Sequence, residues 1–352
     1  MRGSYAARHG GNSIAPDAPW YILGALKPLH LAFLGCGFIT QVHSRNLKGF
    51  RRDIVCSYAS RNRAKAEDYC RRYNGAGAYA DYAGALDDPR IDAVVIAVPP
   101  NLHLDLTLRA LRAGKHVLVE KPAFPRLEDY GVAIDARNQA RRVVLVGEND
   151  HYKPLVATLR ALLAEGAIGE MVFAQFTTIA KRLKTAGDWR NDEQVAGGDA
   201  FFEEGIHWLH IAGSLGPRIV SIDGYRPSVS RDGDDTRAKS MMVAFRYDND
   251  AVGTLYYSRE IPSLLRGLRL SKLYGRKGII TFESNGLFVL ASGKGVPRLF
   301  FPGFRDIRGY RAMYRDFHSA ITTGRAPEMS LERAIDDQQL MEDVYSDLRP
   351  TA

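Results

Sequence analysis

Residues 92–122 read DAVVIAVPPNLHLDLTLRALRAGKHVLVEKP, and the fold turns on how this stretch is read. Asp92–Val98 holds a β-branched apolar run, the composition of a strand buried on both faces. Pro99 and Pro100 end it, because two prolines donate nothing to a ladder and force a turn. From His103 onward, Leu104, Leu108 and Leu111 recur at i, i+4, i+7, one stripe of a helix, which Gly114 stops as a C′ glycine does. His116–Glu120 is a second short strand, closed by Lys121 and Pro122. Strand, crossover helix and strand form a βαβ unit with parallel strands. Pro99–His103 and Glu120–Pro122 then lie at neighbouring carboxyl ends, where open α/β sheets bind ligands. Lys121 is either a crevice residue or a surface lysine at a strand end; this stretch by itself leaves both readings open.

Upstream, Leu29–Leu34 is a short apolar strand running into Gly35-Cys36-Gly37-Phe38-Ile39-Thr40, a G-x-G-x-x-T. The first glycine suits a tight turn. The second lets backbone approach a pyrophosphate, which the N-terminus of the following helix, Ile39–Leu47, stabilises. A glycine turn alone is weak, but its place between a strand and a helix supports a dinucleotide site. Thr40, where a third glycine or alanine is usual, is expected to hold helix and strand slightly further apart. The next strand, Ile54–Ser60, ends in Ser60-Arg61-Asn62-Arg63, without the acid that receives a ribose 2′-hydroxyl. A serine hydroxyl and a guanidinium suit a 2′-phosphate, so NADP is expected, with NAD as the alternative. Further units (a strand at Ala78–Tyr79, a helix Leu127–Asn138, a strand Val143–Val146) complete the pattern of a doubly wound parallel sheet.

Downstream, GENDHYK (147–153) crosses to a second unit and Pro154–Glu165 reads as a helix. Strand-like runs follow at Met171–Thr178, Ile219–Tyr225, Met241–Tyr247, Ala251–Ser258, Leu268–Tyr274, Gly278–Phe282 and Leu287–Ala291. Their short spacings predict a mostly antiparallel open sheet. Tyr310–Thr323 and Leu331–Asp347 are closing helices. Between strands lies GGDAFFEEGIHWLHIAGSLG (197–216), where a helix over Asp199–Ala212 puts Glu203, His207 and His210 on one face. A carboxylate one turn from an imidazole serves acid–base chemistry. Histidines satisfied within a packing face are the bland alternative. Two imidazoles without a distant Cys/His cluster argue against a metal, and none is expected. Lys181, Arg182, Lys184 and Arg190 surround a loop before this motif, and one or two of them are expected to meet a substrate anion.

The combination GCGFIT with His43, then ASR, VPPNLH and AGKHVLVEKP, resembles the Gfo/Idh/MocA oxidoreductases (glucose–fructose oxidoreductase, inositol dehydrogenase and relatives) from about Leu29 onward. The resemblance implies a Rossmann domain followed by an α+β domain with an open sheet of about six strands, whose far face makes a dimer or tetramer contact. It implies hydride transfer between a nicotinamide and a hydroxyl or carbonyl carbon of a sugar, polyol or derivative. Lys121 would lie beside nicotinamide and substrate, with Pro99, Asn101, His103 and Glu120 along the cofactor cleft. Gly35, Gly37, Phe38 and Ile39 would cradle the dinucleotide, and Ser60 and Arg61 its 2′-phosphate. The family's second motif aligns with Gly197, Gly198 and Gly205, making His207 the acid or base, with Glu203 orienting its ring. Here Glu203 and His210 replace aspartates and Asp199 replaces a glycine, which puts any one member's substrate in doubt; His210 is kept as a substrate contact. Two other readings are a non-redox enzyme of this scaffold using transient hydride transfer, for elimination or glycoside cleavage, and a non-catalytic NADP-binding regulator.

Size and composition agree. The 352 residues suffice for two domains, expected as an arm over 1–27, a dinucleotide domain over 28–149, a substrate and oligomerisation domain over 150–330, and a helix over 331–352 packing back on the body. Hydrophobic residues at 45% and charged residues at 25% mark a globular chain. No apolar run is long enough to span a membrane, and the N-terminus lacks a secretory core, although Trp20–Leu26 is apolar enough to dock on the body. Cys36, Cys56 and Cys70 have no metal-ligand spacing, which suits free thiols in a cytoplasm. The net charge of +8 is scattered and no nucleic-acid motif appears, so an anionic cofactor or carbohydrate-like substrate fits better than nucleic acid.

Overall fold

The computed structural model describes residues 27–181, 192–227, 239–263, 268–293, 295–346 and 348. The N-terminal arm up to residue 26, with Trp20–Leu26, and the expected substrate contacts Arg182, Lys184 and Arg190 lie outside the described residues.

The first unit alternates strand and helix: β1 (Leu29–Leu34), α1 (Phe38–Leu47), β2 (Ile54–Ala59), α2 (Arg63–Tyr73), β3 (Gly77–Tyr79), α3 (Tyr82–Asp87), β4 (Ala93–Ile96), α4 (His103–Arg112), β5 (His116–Val119), α5 (Leu127–Ala140) and β6 (Val144–Val146). Its strands pair in the order β3-β2-β1-β4-β5-β6, all parallel. This is the doubly wound order, and it reverses between β1 and β4, where the carboxyl ends open a crevice. Both faces are covered by helices, so Ala93–Ile96 and Val144–Val146 are wholly buried, as their unbroken apolar runs require.

The second unit comprises α6 (Pro154–Ala164), β7 (Met171–Ile179), α7 (Glu193–Ala196), α8 (Ala200–Gly213), β8 (Ile219–Tyr225), β9 (Ser240–Tyr247), β10 (Val252–Ser258), β11 (Leu270–Gly275), β12 (Gly278–Glu283), β13 (Val289–Ser292) and β14 (Arg298–Phe300). The eight strands run β14-β13-β12-β11-β7-β10-β9-β8. β7 and β10 are parallel and every other neighbouring pair is antiparallel. The sheet is larger than the six strands the resemblance implies; β14, only three residues long, has too little periodicity to read. α6 and α8 bury one face, with Leu159, Phe201, Leu209, Phe176, Leu255 and Phe282 in a single core. The other face leaves Phe173, Val252, Tyr256 and Leu270 exposed.

Two C-terminal helices tie the units together. α9 (Tyr310–Thr323) places Tyr310, Met313, Tyr314 and Phe317 in the core beneath the Rossmann sheet. α10 (Leu331–Ser346) puts Leu331 and Ala334 in the other Rossmann core, and Met341 and Val344 in the core of the second sheet.

Candidate active site

The dinucleotide turn sits at the switch point. Gly35 has φ of 112°, and a Cβ there would meet the Ala97 carbonyl oxygen at 2.4 Å, so the turn after β1 can approach the end of β4 this closely only with a glycine. Gly37 is the N-cap of α1 without a side-chain cap, and a Cβ on it would project into open space. That leaves uncapped backbone donors facing a free cradle, which fits a pyrophosphate. Thr40 is fully buried and its hydroxyl donates to the Gly35 carbonyl at 2.8 Å, so it locks the turn instead of merely tolerating it. Phe38 is exposed beside this cradle and Ile39 is half-buried. At the end of β2, Ser60 is buried and its oxygen accepts from the Asn62 N–H at 3.2 Å, while Arg61 is exposed. The Tyr82 phenol is raised by burial and, against that, lowered by the nearby Arg61, so the two side chains are neighbours on the cleft rim.

The two expected chemical residues come from different units, Lys121 just past β5 and His207 in α8. Lys121 follows β5 and precedes a cis peptide bond to Pro122, and its Nζ donates to the Glu203 carbonyl at 2.9 Å. Glu203 is four residues before His207 in α8, so the ammonium stands within about one helical turn of the histidine. α8 starts where it does because Asp199 is its N-cap, accepting from Phe201 N–H at 2.9 Å and Phe202 N–H at 3.0 Å. Arg226 at 2.8 Å and the Tyr345 hydroxyl at 2.5 Å hold that carboxylate. Asp199, at a position where the resemblance implies a glycine, thus serves as a helix cap.

His207 retains 20% side-chain exposure and its Nδ1 lies 2.6 Å from Glu148 Oε1. Glu203 was expected to orient this ring; the carboxylate on Nδ1 is Glu148, from the crossing segment after β6. The reason is geometric: i, i+4 neighbours share a helix face, yet the imidazole turns off the helix toward the opposing domain. Burial pushes the Glu148 carboxyl up, but the His207 charge and hydrogen bond, with His210 and Lys121, outweigh it and hold the group below the usual carboxylate range. Glu148 Oε2 is buried without a partner. Sequence reading missed Glu148; a polar GEND run straight after a sheet strand was the available signal.

Three other expectations change. His103 does not face the cofactor. It is 1% exposed, with Nε2 2.8 Å from the Val98 carbonyl and Nδ1 3.0 Å from the Pro122 and Ala123 carbonyls. Burial lowers its pKa, and its ring pins the turn after β4 to the segment that carries Lys121. His210 is not a substrate contact: it is 1% exposed, with Nδ1 on Asp337 at 2.8 Å and Nε2 on His151 at 3.0 Å. Burial opposes protonation there, but the Asp337 charge prevails and raises the His210 pKa. This pair docks α10 on α8. Glu120 turns its carboxylate inward to His43 Nε2 at 2.7 Å, and His43 Nδ1 meets the Tyr314 hydroxyl at 2.8 Å, linking α1, β5 and α9. Pro99 is half-buried and Asn101 exposed at the adjacent rim, and Lys181 is exposed just past β7.

Glu148, Asp150 and His207 have ligand atoms within 4.8 Å of one another, a spacing that could hold a cation. In the structure the Lys153 ammonium pairs with Asp150 at 2.5 Å and the His207 ring with Glu148 at 2.6 Å, so protein groups already answer these carboxylates. Among the described residues, no helix is long and apolar enough to cross a membrane.

Comparison with known proteins agrees with the two-sheet fold. Levoglucosan dehydrogenase from Pseudarthrobacter phenanthrenivorans is 24% identical over 329 residues, 82% of this chain and 80% of its own. The scyllo-inositol 2-dehydrogenase (NAD+) of Bacillus subtilis is 27% identical over 241 residues, 66% of this chain and 67% of its own. Among solved structures, the aldose-aldose oxidoreductase from Caulobacter crescentus complexed with glycerol shares the fold with a TM-score of 0.80 at 22% identity, over 91% of this chain and 97% of its own. A levoglucosan dehydrogenase in complex with NADH and levoglucosan gives 0.79 at 22% identity, over 91% and 96%. Residues 29–148 match the oxidoreductase family with an NAD-binding Rossmann fold, and residues 156–281 match the GFO/IDH/MocA C-terminal domain. With one match on each sheet, in chain order and spanning most of its length, the protein belongs to the Gfo/Idh/MocA family of oxidoreductases.

Proposed function

We propose that the protein is an NADP-preferring dehydrogenase acting on a hydroxyl carbon of a sugar, polyol or sugar derivative. The observation that carries this reading is the Glu148–His207 pair at 2.6 Å on the same helix turn that receives the Lys121 ammonium. With Nδ1 held by Glu148, the other ring nitrogen of His207 is the one left to take a hydroxyl proton. Lys121 hydrogen-bonds the same oxygen and stabilises its developing negative charge. Glu203 acts as a positioning residue, its carbonyl holding the Lys121 side chain. Gly35, Gly37 and the first turn of α1 hold the dinucleotide, which supplies or accepts the hydride. The burial of Glu148 keeps water from the Nδ1 side of the ring, while the rest of the imidazole stays open to a substrate.

Ser60 and Arg61, with no acid at the end of β2, support NADP, although relatives carry NAD+ or NADH in their names or structures. The exposed apolar face of the second sheet supports a homodimer or homotetramer through that surface. The test is parallel fluorescence titration with NADPH and NADH, followed by a panel of sugars and polyols with the tighter cofactor. Tighter NADPH binding and NADP-dependent oxidation of a panel member are expected. Binding of neither cofactor overturns the reading.

A further inference from the structure

Arg259 follows β10 and is only 6% exposed. Its backbone N–H still meets the Lys239 carbonyl at 3.0 Å, extending the β10–β9 ladder by one residue. The period-two alternation of a strand puts Arg259 on the side of Leu255 and Tyr257, which are buried, and opposite Tyr256, which is exposed. That side faces the start of α8. The Tyr257 hydroxyl donates to the Ala200 carbonyl at 3.0 Å and to Glu204 Oε2 at 3.1 Å, and its ring packs edge-on against Phe201. Burial and Glu204 raise the Tyr257 phenol while the Arg259 charge acts the other way, so the guanidinium lies within electrostatic reach of this turn. His207 is one turn further along the same helix.

Arg259 Nη1 is nevertheless buried without a hydrogen-bond partner, and among the described residues no carboxylate pairs with this guanidinium. Other arginines with a buried unsatisfied nitrogen differ: the half-buried Arg226 bonds Asp199 at 2.8 Å and the buried Arg269 bonds Thr178 at 3.1 Å. Thr178 is itself the β7 partner of Tyr257, so Arg269 reaches the same end of the sheet. A buried guanidinium is costly unless an anion answers it, and its planar fork matches a carboxylate or phosphate through two parallel bonds.

We infer that Arg259 is the anion-recognising residue of the substrate site, and that the substrate is a sugar derivative bearing a carboxylate or a phosphate. The inference rests on the dehydrogenase reading for the word substrate, but the anion site stands on its own geometry. It places the anion at the end of β10, beside the first turns of α8.

The test compares glucose, glucuronate, gluconate and glucose 6-phosphate by thermal shift and by NADP- and NAD-dependent oxidation, in the wild type, Arg259→Gln and Arg259→Lys. Expected are a Tm rise with at least one anion and none with glucose, and a KM for that anion raised about tenfold or more in Arg259→Gln, with partial recovery in Arg259→Lys. The unliganded Arg259→Gln protein should melt at or above the wild-type Tm, because an unanswered buried charge has gone. A response to the uronate and aldonate alone identifies a carboxylate, and one to the ester alone a phosphate. Equal KM values for charged and neutral sugars, or an unchanged KM in Arg259→Gln with a lowered Tm, identify a packing arginine and overturn the inference. Arg259-dependent anion binding without oxidation of any sugar overturns the dehydrogenase reading and leaves the anion site intact.

Discussion

Glu148 and His207 set the chemistry at the scale of single residues. A buried carboxylate on Nδ1 fixes the imidazole tautomer and stabilises the imidazolium that forms when the ring takes a proton. Glu148→Gln keeps the volume but supplies an amide that can present the wrong group to Nδ1. We expect kcat to fall about 100-fold or more with little change in NADPH affinity, and His207→Asn to fall at least as far. Steady-state kinetics beside a cofactor titration measures both, and full turnover in either variant would remove the pair from the mechanism. Arg61→Ala should weaken NADPH binding by about tenfold while leaving NADH nearly unchanged, since a single charge-assisted contact of this kind is worth roughly 1.5–3 kcal/mol. Equal loss for both cofactors would move the 2′-phosphate contact elsewhere. Glu148 also shows where legibility ends at this scale. Glu203, His207 and His210 could be placed on one helix face from spacing, but the partners of His207 and His210, Glu148 and Asp337, lie 59 and 127 residues away in sequence.

The element scale is governed by how strand ends are fastened. His116 opens β5, and its Nδ1 accepts the Val143 N–H at 3.0 Å, just before β6 begins. Only a neutral ring can accept there. Burial, reinforced by Arg142, holds the His116 pKa down to about 4. A depressed folded pKa means full stabilisation above the unfolded value near 6.5, lost as pH falls toward 4. We therefore expect Tm to decline between pH 6.5 and 4, with His116→Asn flattening that slope by about 1–2 kcal/mol once partial exposure is allowed for. Parallel slopes in melts across this range would show that other groups carry the acid sensitivity. At this scale the sequence was informative, since runs such as Leu29–Leu34, Ile219–Tyr225 and Tyr310–Thr323 emerge with the bounds their periodicity predicts. β14 was invisible because three residues cannot display a period.

Across the whole molecule, the second sheet has one face sealed by α6 and α8 and one left open. Phe173 at 53% and Leu270 at 41% exposure lie on that open face, and a shallow depression of about 500 Å³ is lined by Phe173, Gln175, Arg246 and Tyr274. An apolar sheet face of this extent is unusual on a monomer. We expect sedimentation to show a dimer or tetramer, and Phe173→Glu combined with Leu270→Lys to shift it toward monomer with Lys121 and His207 unaltered. A wild type that sediments as a monomer at all concentrations would remove the surface from consideration. The linkage between the two units is equally a property of the whole: α9 and α10 return after the second sheet to the Rossmann cores, and α10 also enters the core of the second sheet, so the chain's last two helices hold the cofactor crevice and α8 together.

Local chemistry decided everything that depends on near neighbours. A glycine turn after a strand, proline-terminated buried strands and a crossover helix suffice for a parallel dinucleotide sheet, because backbone donors and apolar periodicity leave few other solutions. The candidacy of Lys121 and His207 is likewise written in their motifs. The tertiary structure alone decided which groups meet: Glu148 on His207, the Glu203 carbonyl under Lys121, Asp337 on His210, Tyr314 on His43, and Arg259 with no carboxylate paired to it among the described residues. Such pairings are made by segments far apart in sequence, and no local pattern encodes which buried polar group will find another. Packing brings them together, and the high cost of leaving a buried charge or hydrogen-bonding group unmatched then dictates their geometry.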